Sequence, residues 1–282
     1  MEHLAFAKIN LYLEISGKRP DGYHDLITLM CGIDLADTLR FAFEAPASRI
    51  ICPHPDVPED DTNIALKAAR LFFEASGRGN HVSIFIEKKI PVGAGLGGGS
   101  SNAAVVLKAL NQHYQYPLTA EALLALARKI GADVPFFLDG RPALATGIGD
   151  QLIPYDYLSA FPIVLIYPGK PVSTAEVYRK LNFGLTKTKK INTKSIFRHI
   201  RDKNPVELLY NDLEPAAFAM NPEIAEAKAT LLDSGAGGAL MTGSGSAVFG
   251  IYPDWESANN AYLDVKGTSG QWTVYISRLR LG

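Results

Sequence analysis

The sequence predicts an α/β protein of the α+β type, because runs with a two-residue apolar period and runs with a helical period share one chain. Near the start, Ala7, Ile9, Leu11, Leu13 and Ile15 alternate with Lys8, Asn10, Tyr12 and Glu14, as a strand requires. Further on, Val82, Ile84 and Ile86 mark a second strand. It leads through Pro91-Val92-Gly93-Ala94-Gly95-Leu96-Gly97-Gly98-Gly99-Ser100-Ser101 into an apolar-rich helical run at residues 102–110. A chain of 282 residues, 47% hydrophobic and 20% charged, can bury a large core and divide in two. The turn-rich stretch at 154–161 places the boundary between residues 1–157 and 158–282.

Taken in order, the first strand spans residues 5–15. Its Lys8 and Asn10 point one way, which by itself describes a solvated strand face. Gly17-Lys-Arg-Pro-Asp-Gly22 is a reversal, with Tyr23 and His24 just beyond it. Residues 24–44 predict two strands joined near Leu35-Ala36-Asp37. Asp60-Asp61-Thr62 opens a helix through residues 64–75, stopped by Gly77. Asn63 at its start either assists the cap or faces a ligand.

Five glycines lie within positions 93–99. They remove side chains where backbone must approach something closely, and the helix that follows adds N–H groups and a positive dipole end. That combination describes a phosphate cradle. Gly93-x-Gly95-x-x-Gly98 matches a dinucleotide fingerprint literally but lacks its acidic residue at the right distance, and no Gly-Lys-Ser/Thr completes a Walker loop. A flexible turn is the remaining reading.

Residues 119–130 form an amphipathic helix ended by Gly131. Asp133 follows at once, placed either to cap the next segment or to stand at a pocket edge. Residues 145–150 read as a glycine-bent strand and 162–168 as a buried one. Ser173 or Thr174 caps a helix that carries Tyr178. Residues 185–203 collect seven Lys and Arg but a single aromatic, Phe197, so they read as a solvated face and not as a nucleic-acid patch. After a helix at 223–232, residues 235–252 place two strands around the small-residue loop Thr242-Gly243-Ser244-Gly245-Ser246. A helix at 255–265 and a strand at 272–276 close the chain.

A net charge of −1 provides no general field for nucleic acid or anionic membrane. Cys31 and Cys52 stand in unrelated contexts, which indicates neither a disulfide framework nor a zinc site. No signal peptide or apolar span of about 20 residues is visible, so a cytoplasmic protein is expected.

Lys8-x-Asn10, the glycine-rich stretch and Thr242–Ser246 resemble, in that order, the three motifs of the GHMP small-molecule kinases, which include galactokinase, homoserine kinase, mevalonate kinase and phosphomevalonate kinase. Ala7-Lys-Ile-Asn10, Pro20-Asp-Gly-Tyr-His24, Gly131-Ala-Asp-Val-Pro-Phe136 and Asn211-Asp-Leu-Glu214 narrow the resemblance to the branch acting on a cytidine diphosphate-linked methylerythritol. The resemblance runs from Ala5 to about Tyr252. Leu240 departs from it, standing where an arginine is often found.

The resemblance implies a two-domain GHMP kinase fold, an ATP-binding N-terminal and a C-terminal domain with the active site in the cleft between them. It implies ATP- and Mg²⁺-dependent phosphorylation of a substrate hydroxyl, with Lys8 and Asp133 as the catalytic pair. Phosphoryl transfer needs chiefly positioning and charge neutralisation. Asp133 would orient the hydroxyl and accept its proton late, while Lys8 stabilises the developing alkoxide. The backbone from Pro91 to Ser101 would hold the ATP phosphates, with Ser100 or Ser101 near the metal, and Asn63 would face adenine. On the substrate side Tyr23 would stack on cytosine and His24 hydrogen-bond it, with Tyr178 as the opposing ring and Asn10 and Thr174 as polar contacts.

Three rivals differ in what they need. A homoserine or mevalonate kinase needs a charged clamp for its acceptor, where this set is uncharged. A non-catalytic nucleotide-binding module has no use for both Lys8 and Asp133. An RNA-binding protein using residues 185–203 would show steep salt dependence.

Overall fold

The computed structural model describes residues 2–181, 204–268 and 270–282. The basic stretch at 185–203, expected to be a solvated face, lies outside these residues. The chain forms two compact units, and neither is one stretch of sequence. One comprises Met1–Ala7, Leu35–Val92 and Gly97–Gly140, the other Lys8–Asp34, Gly93–Leu96 and Arg141–Gly282. Strands β1 (Glu2–Lys18) and β2 (His24–Phe43) contribute residues to both.

In the first unit β2 pairs antiparallel with β4 (Val82–Glu87), which pairs parallel with β3 (Arg49–Ile51). Four helices complete it: α1 (Ile64–Ser76), α2 (Gly98–His113), α3 (Ala120–Ile130) and α4 (Val134–Asp139). Helix α2 is central, since Ser101 to Leu107 are buried without a break, as an enclosed helix requires. It packs against α1, and the two helices bury small residues, Ala103 and Ala104 on α2 and Ala65, Ala68 and Ala69 on α1.

In the second unit β1 runs parallel to β8 (Tyr210–Asn211), and β2 pairs antiparallel with β5 (Ala143–Thr146), which forms a hairpin with β6 (Gln151–Pro154). A separate antiparallel sheet has the order β11 (Thr273–Arg278), β7 (Pro162–Tyr167), β10 (Val248–Ile251), β9 (Gly238–Met241). Helices α5 (Thr174–Lys180), α6 (Glu214–Met220), α7 (Glu223–Asp233) and α8 (Trp255–Thr268) accompany it. Its core gathers Val164, Ile166, Val248 and Val274 from the strands and Ile224, Ala227, Leu231, Ala258, Ala261 and Val265 from α7 and α8.

Three local expectations change. The segment through Leu35-Ala36-Asp37 is no junction: β2 continues unbroken to Phe43. Asp37 reads as a turn residue in sequence, yet its carboxylate is fully buried and satisfied by four donors, so the strand has no reason to break there. Residues 145–150 do not form one bent strand but the end of β5 and a turn into β6, with Gly147 at φ 69° and Gly149 at φ 101°. Helix α1 opens one position later than Asp60–Thr62 suggests. Asn63 is its cap, Oδ1 accepting from Ala65 N at 2.9 Å, while its Nδ2 donates to Pro58 O at 2.7 Å. Among the described residues no helix is long and apolar enough to cross a membrane.

Candidate active site

In the second unit the site begins with Lys8 and Asn10 on β1. The solvated-face alternative fails for both, at 4% and 2% exposure. Alternation places them together, and each polar group there is met. Lys8 Nζ donates to Asn10 Oδ1 at 2.6 Å, and Asn10 Nδ2 donates to Thr28 Oγ1 at 2.7 Å. Asn10 N donates to Thr242 Oγ1 at 3.1 Å, and Thr28 Oγ1 donates onward to Tyr12 O at 2.6 Å. A buried ammonium needs such oxygens, because desolvation is costly for an unmet charge. Thr28 was not singled out from sequence, because a lone threonine in an apolar run carries no signal of its own; Thr242 was visible there as the first residue of the small-residue loop, but not as a partner of Asn10.

The glycine loop folds onto this network through main chain. Leu96 O accepts from Lys8 N at 3.0 Å, Ala94 O from Ala247 N at 3.1 Å, and Gly93 O from Val172 N at 3.4 Å. The approach is close enough that a Cβ on Gly95 would lie 2.2 Å from Thr242 O, and one on Gly243 3.3 Å from Lys8 Nζ. The loop from Thr242 to Ser246 closes on itself by Thr242 N to Ala247 O and Gly245 N to Thr242 O, both 3.0 Å. Leu240, the departure from the motif, is buried in β9 opposite Phe249 and leaves this closure intact. Asn211 and Glu214 buttress it: Asn211 Nδ2 donates to Met241 O and Gly243 O at 2.8 Å each, and Glu214 accepts from Met241 N at 3.0 Å.

In the first unit Gly97 stands at the N-terminal cap of α2 with φ 71° and no side-chain cap. The opening N–H groups of a helix have no intrahelical partner, so this terminus offers donors suited to an anion. Asp133 occupies the cap position of α4, but its carboxylate does not cap the helix, which leaves the pocket-edge alternative standing.

The nucleobase set is partly brought together. His24 and Tyr178 stack with centroids 5.0 Å apart and planes at 25°, which is direct ring contact. The two rings lie on each other and leave no gap for a base between them, and Tyr23, next to His24 in sequence, is 62% exposed. Ser173, not Thr174, caps α5, leaving the Thr174 hydroxyl to meet Ser244 Oγ at 2.7 Å.

Burial, and then the nearby charge of Lys18, lower the pKa of His24 below its ordinary 6.5. The ring is therefore neutral near pH 7. The unfolded chain binds the extra proton first, so stability rises with pH from the folded value up to 6.5 and is level above. Thermal unfolding of His24→Gln is expected to lack this acid-limb slope; an unchanged slope would assign it elsewhere.

The chain matches the GHMP kinases N terminal domain over residues 63–141 and the GHMP kinases C terminal domain over 197–268. It is 44% identical over 278 residues to a 4-diphosphocytidyl-2-C-methyl-D-erythritol kinase of Geobacter sp. (strain M21), covering 98% of both chains. A protein of that name from Syntrophus aciditrophicus (strain SB) is 43% identical over 275 residues, again 98% of both. Among solved structures, 4-(cytidine 5'-diphospho)-2C-methyl-D-erythritol kinase superposes with TM-score 0.83 at 38% identity over the whole of both chains. L. major mevalonate kinase shares the fold, with TM-score 0.74 at 15% identity over 100% of this chain and 96% of that one. Near-complete coverage at such identity, on a structure whose three motifs converge as described, settles the kinship: the chain belongs to the 4-diphosphocytidyl-2-C-methyl-D-erythritol kinases, within the GHMP kinase fold family.

Proposed function

We propose that the protein transfers the terminal phosphoryl group of ATP to the 2-hydroxyl of 4-diphosphocytidyl-2-C-methyl-D-erythritol, giving the 2-phosphate and ADP in non-mevalonate isoprenoid precursor synthesis. The observation that carries this reading is the buried Lys8–Asn10–Thr242 network locked by main chain to the glycine loop. Such an arrangement fixes a cation beside a polyphosphate cradle before any ligand arrives, which is what a loose phosphoryl-transfer transition state rewards.

The roles divide as follows. The main chain of residues 91–101 and the uncapped start of α2 hold the ATP phosphates. Lys8, its ammonium aimed by Asn10, stabilises the acceptor oxygen as it becomes an alkoxide, and Asp133 orients that hydroxyl and takes its proton. The neutral face of His24 and Tyr178, with Tyr23, receives cytosine, and Thr174 lies at its edge. Asn63 already spends its carbonyl on the α1 cap, so any contact with adenine falls to its remaining N–H.

Among the described residues no group of three or more His, Cys, Asp or Glu side chains could hold a metal. This suits Mg²⁺ carried mainly on substrate phosphates, with few protein ligands. The hydroxyl of the half-buried Ser100 would be the one offered to it, whereas Ser101 is buried in α2. When bound, Mg²⁺ neutralises phosphate charge. Along the sequence, residues 1–157 and 158–282 serve as the ATP-binding and C-terminal modules in this reading.

The test is coupled ADP release with Mg-ATP and each of three acceptors: the cytidyl substrate, homoserine and mevalonate. Turnover confined to the cytidyl substrate is expected. Turnover with either other acceptor alone would keep the kinase and remove the cytosine role of Tyr23, His24 and Tyr178.

A further inference from the structure

The glycine loop is anchored at both ends by one buried carboxylate that no sequence motif marks. Asp37, on β2, is fully buried. Its Oδ1 accepts from Lys89 N and Ile90 N at 2.8 Å each, the last backbone groups before the loop. Its Oδ2 accepts from Lys88 Nζ at 2.7 Å and from Asn102 Nδ2 at 3.0 Å, and Asn102 lies in the first turns of α2, just beyond the loop. Lys88 Nζ also donates to Ile90 O at 2.8 Å. Gly98, the first residue of α2, packs on that ammonium, for a Cβ there would lie 2.9 Å from Nζ.

A buried ion pair is weak grounds for stability, since apolar residues of the same volume often serve as well. What distinguishes this one is where its donors lie. Apart from the lysine that pairs with it, every group Asp37 binds belongs to the entry or the exit of the loop. We infer that Asp37, with Lys88 and Asn102, is a positioning unit for phosphoryl transfer: it sets the spacing and direction of residues 91–97 by pinning Ile90 and the start of α2 to the same point. The inference rests on the loop's reading as the ATP phosphate cradle. None of the three residues touches the reacting atoms in it; they act through the main chain of the loop.

Three variants test it, each with separate KM values for ATP and for the cytidyl substrate, a melting temperature, and binding of a fluorescent ATP analogue. Asn102→Ala removes one of four donors and is expected to raise the KM for ATP about 10-fold or more, the weight of a single hydrogen bond to charge. The pair Asp37→Leu with Lys88→Met keeps the volume apolar. It avoids an unpaired buried charge but leaves the N–H groups of Lys89 and Ile90 without their acceptor, so the protein is expected to fold with a lowered melting temperature while kcat falls by up to about 10²-fold, the scale of a small misplacement of reacting groups. Asp37→Asn retains an acceptor for Lys89 and Ile90 N–H and should lose less than the pair. In every variant the KM for the cytidyl substrate should stay put. A purely structural role would instead move both KM values together in proportion to the loss of melting temperature, and that outcome, or a folded double variant with wild-type ATP kinetics, overturns the inference. A wild-type protein that fails to bind the ATP analogue would overturn the cradle reading beneath it, a result distinguishable from either.

Discussion

Asp133→Ala is expected to lower kcat by about 10²–10⁴-fold, the usual contribution of a general acid–base group, with the melting temperature held. The expectation that the fold survives comes from α4. Asp133 stands at its cap position without capping it, so the substitution removes no helix cap, a loss that elsewhere costs about 1 kcal/mol. The helix is secured instead by Pro135 in its first turn and by burial of Val134, Phe136 and Phe137. At the far end, Lys108 Nζ donates to Phe137 O at 3.1 Å, satisfying a terminal carbonyl. Binding of the cytidyl substrate should change little, since the carboxylate acts on the hydroxyl and not on the base. Single-turnover rates decide the matter: an unchanged chemical step in Asp133→Ala would end its catalytic assignment. A large drop in melting temperature would show instead that α4 depends on the side chain.

Gly95→Ala should be as damaging, by another route. The residue sits at φ 78°, where a side chain costs about 1–2 kcal/mol of backbone strain. Beyond strain, the new Cβ would lie 2.2 Å from Thr242 O and 3.1 Å from Gly245 O, both backbone atoms held by their own loop. Neither can yield cheaply, so the glycine loop must withdraw. Withdrawal breaks Ala94 O from Ala247 N and Leu96 O from Lys8 N, the bonds that register the cradle against the ammonium. A displacement of about 1 Å can cost about 10²-fold in rate, and both the KM for ATP and kcat should suffer. Gly99→Ala is the graded comparison. Its Cβ would have Ile64 Cδ1 at 3.5 Å as nearest neighbour, an ordinary contact, and its φ is not positive. Steady-state kinetics on the two variants should differ by more than tenfold; equal losses would mean that any methyl in the loop is harmful and that the Thr242 contact is incidental.

Much of the fold is legible in sequence because periodicity reports which face is buried. The alternation in β1, the glycine stops of α1 and α3 and the strands around Thr242–Ser246 all follow from it. Periodicity cannot report when both faces are covered. Lys8 and Asn10 look solvated by residue type; the Lys8 ammonium is met by Asn10 Oδ1, and Asn10 in turn by the oxygens of Thr28 and Thr242, distant in sequence. Asp37 misleads in the same way, since a short acidic residue after Leu35-Ala36 resembles a turn until its four donors are seen. The aromatic set was named through the resemblance and not by any local signal, and the mutual stacking of His24 and Tyr178 depends on how α5 is carried and has no local signature. Asn63 shows the opposite case, where the local cap rule alone was sufficient.

The contact at Gly95 also bears on how the protein would respond to an inhibitor. A molecule built for the glycine loop meets peptide groups, and a peptide group looks the same whatever residue carries it. Escape by substitution would require a side chain at a position such as Gly95, where the neighbouring backbone atoms leave no room for one. A molecule built for the His24–Tyr178 face meets two side chains, each replaceable by a single change in the coding sequence. Resistance should therefore arise readily against the second kind of inhibitor and slowly against the first.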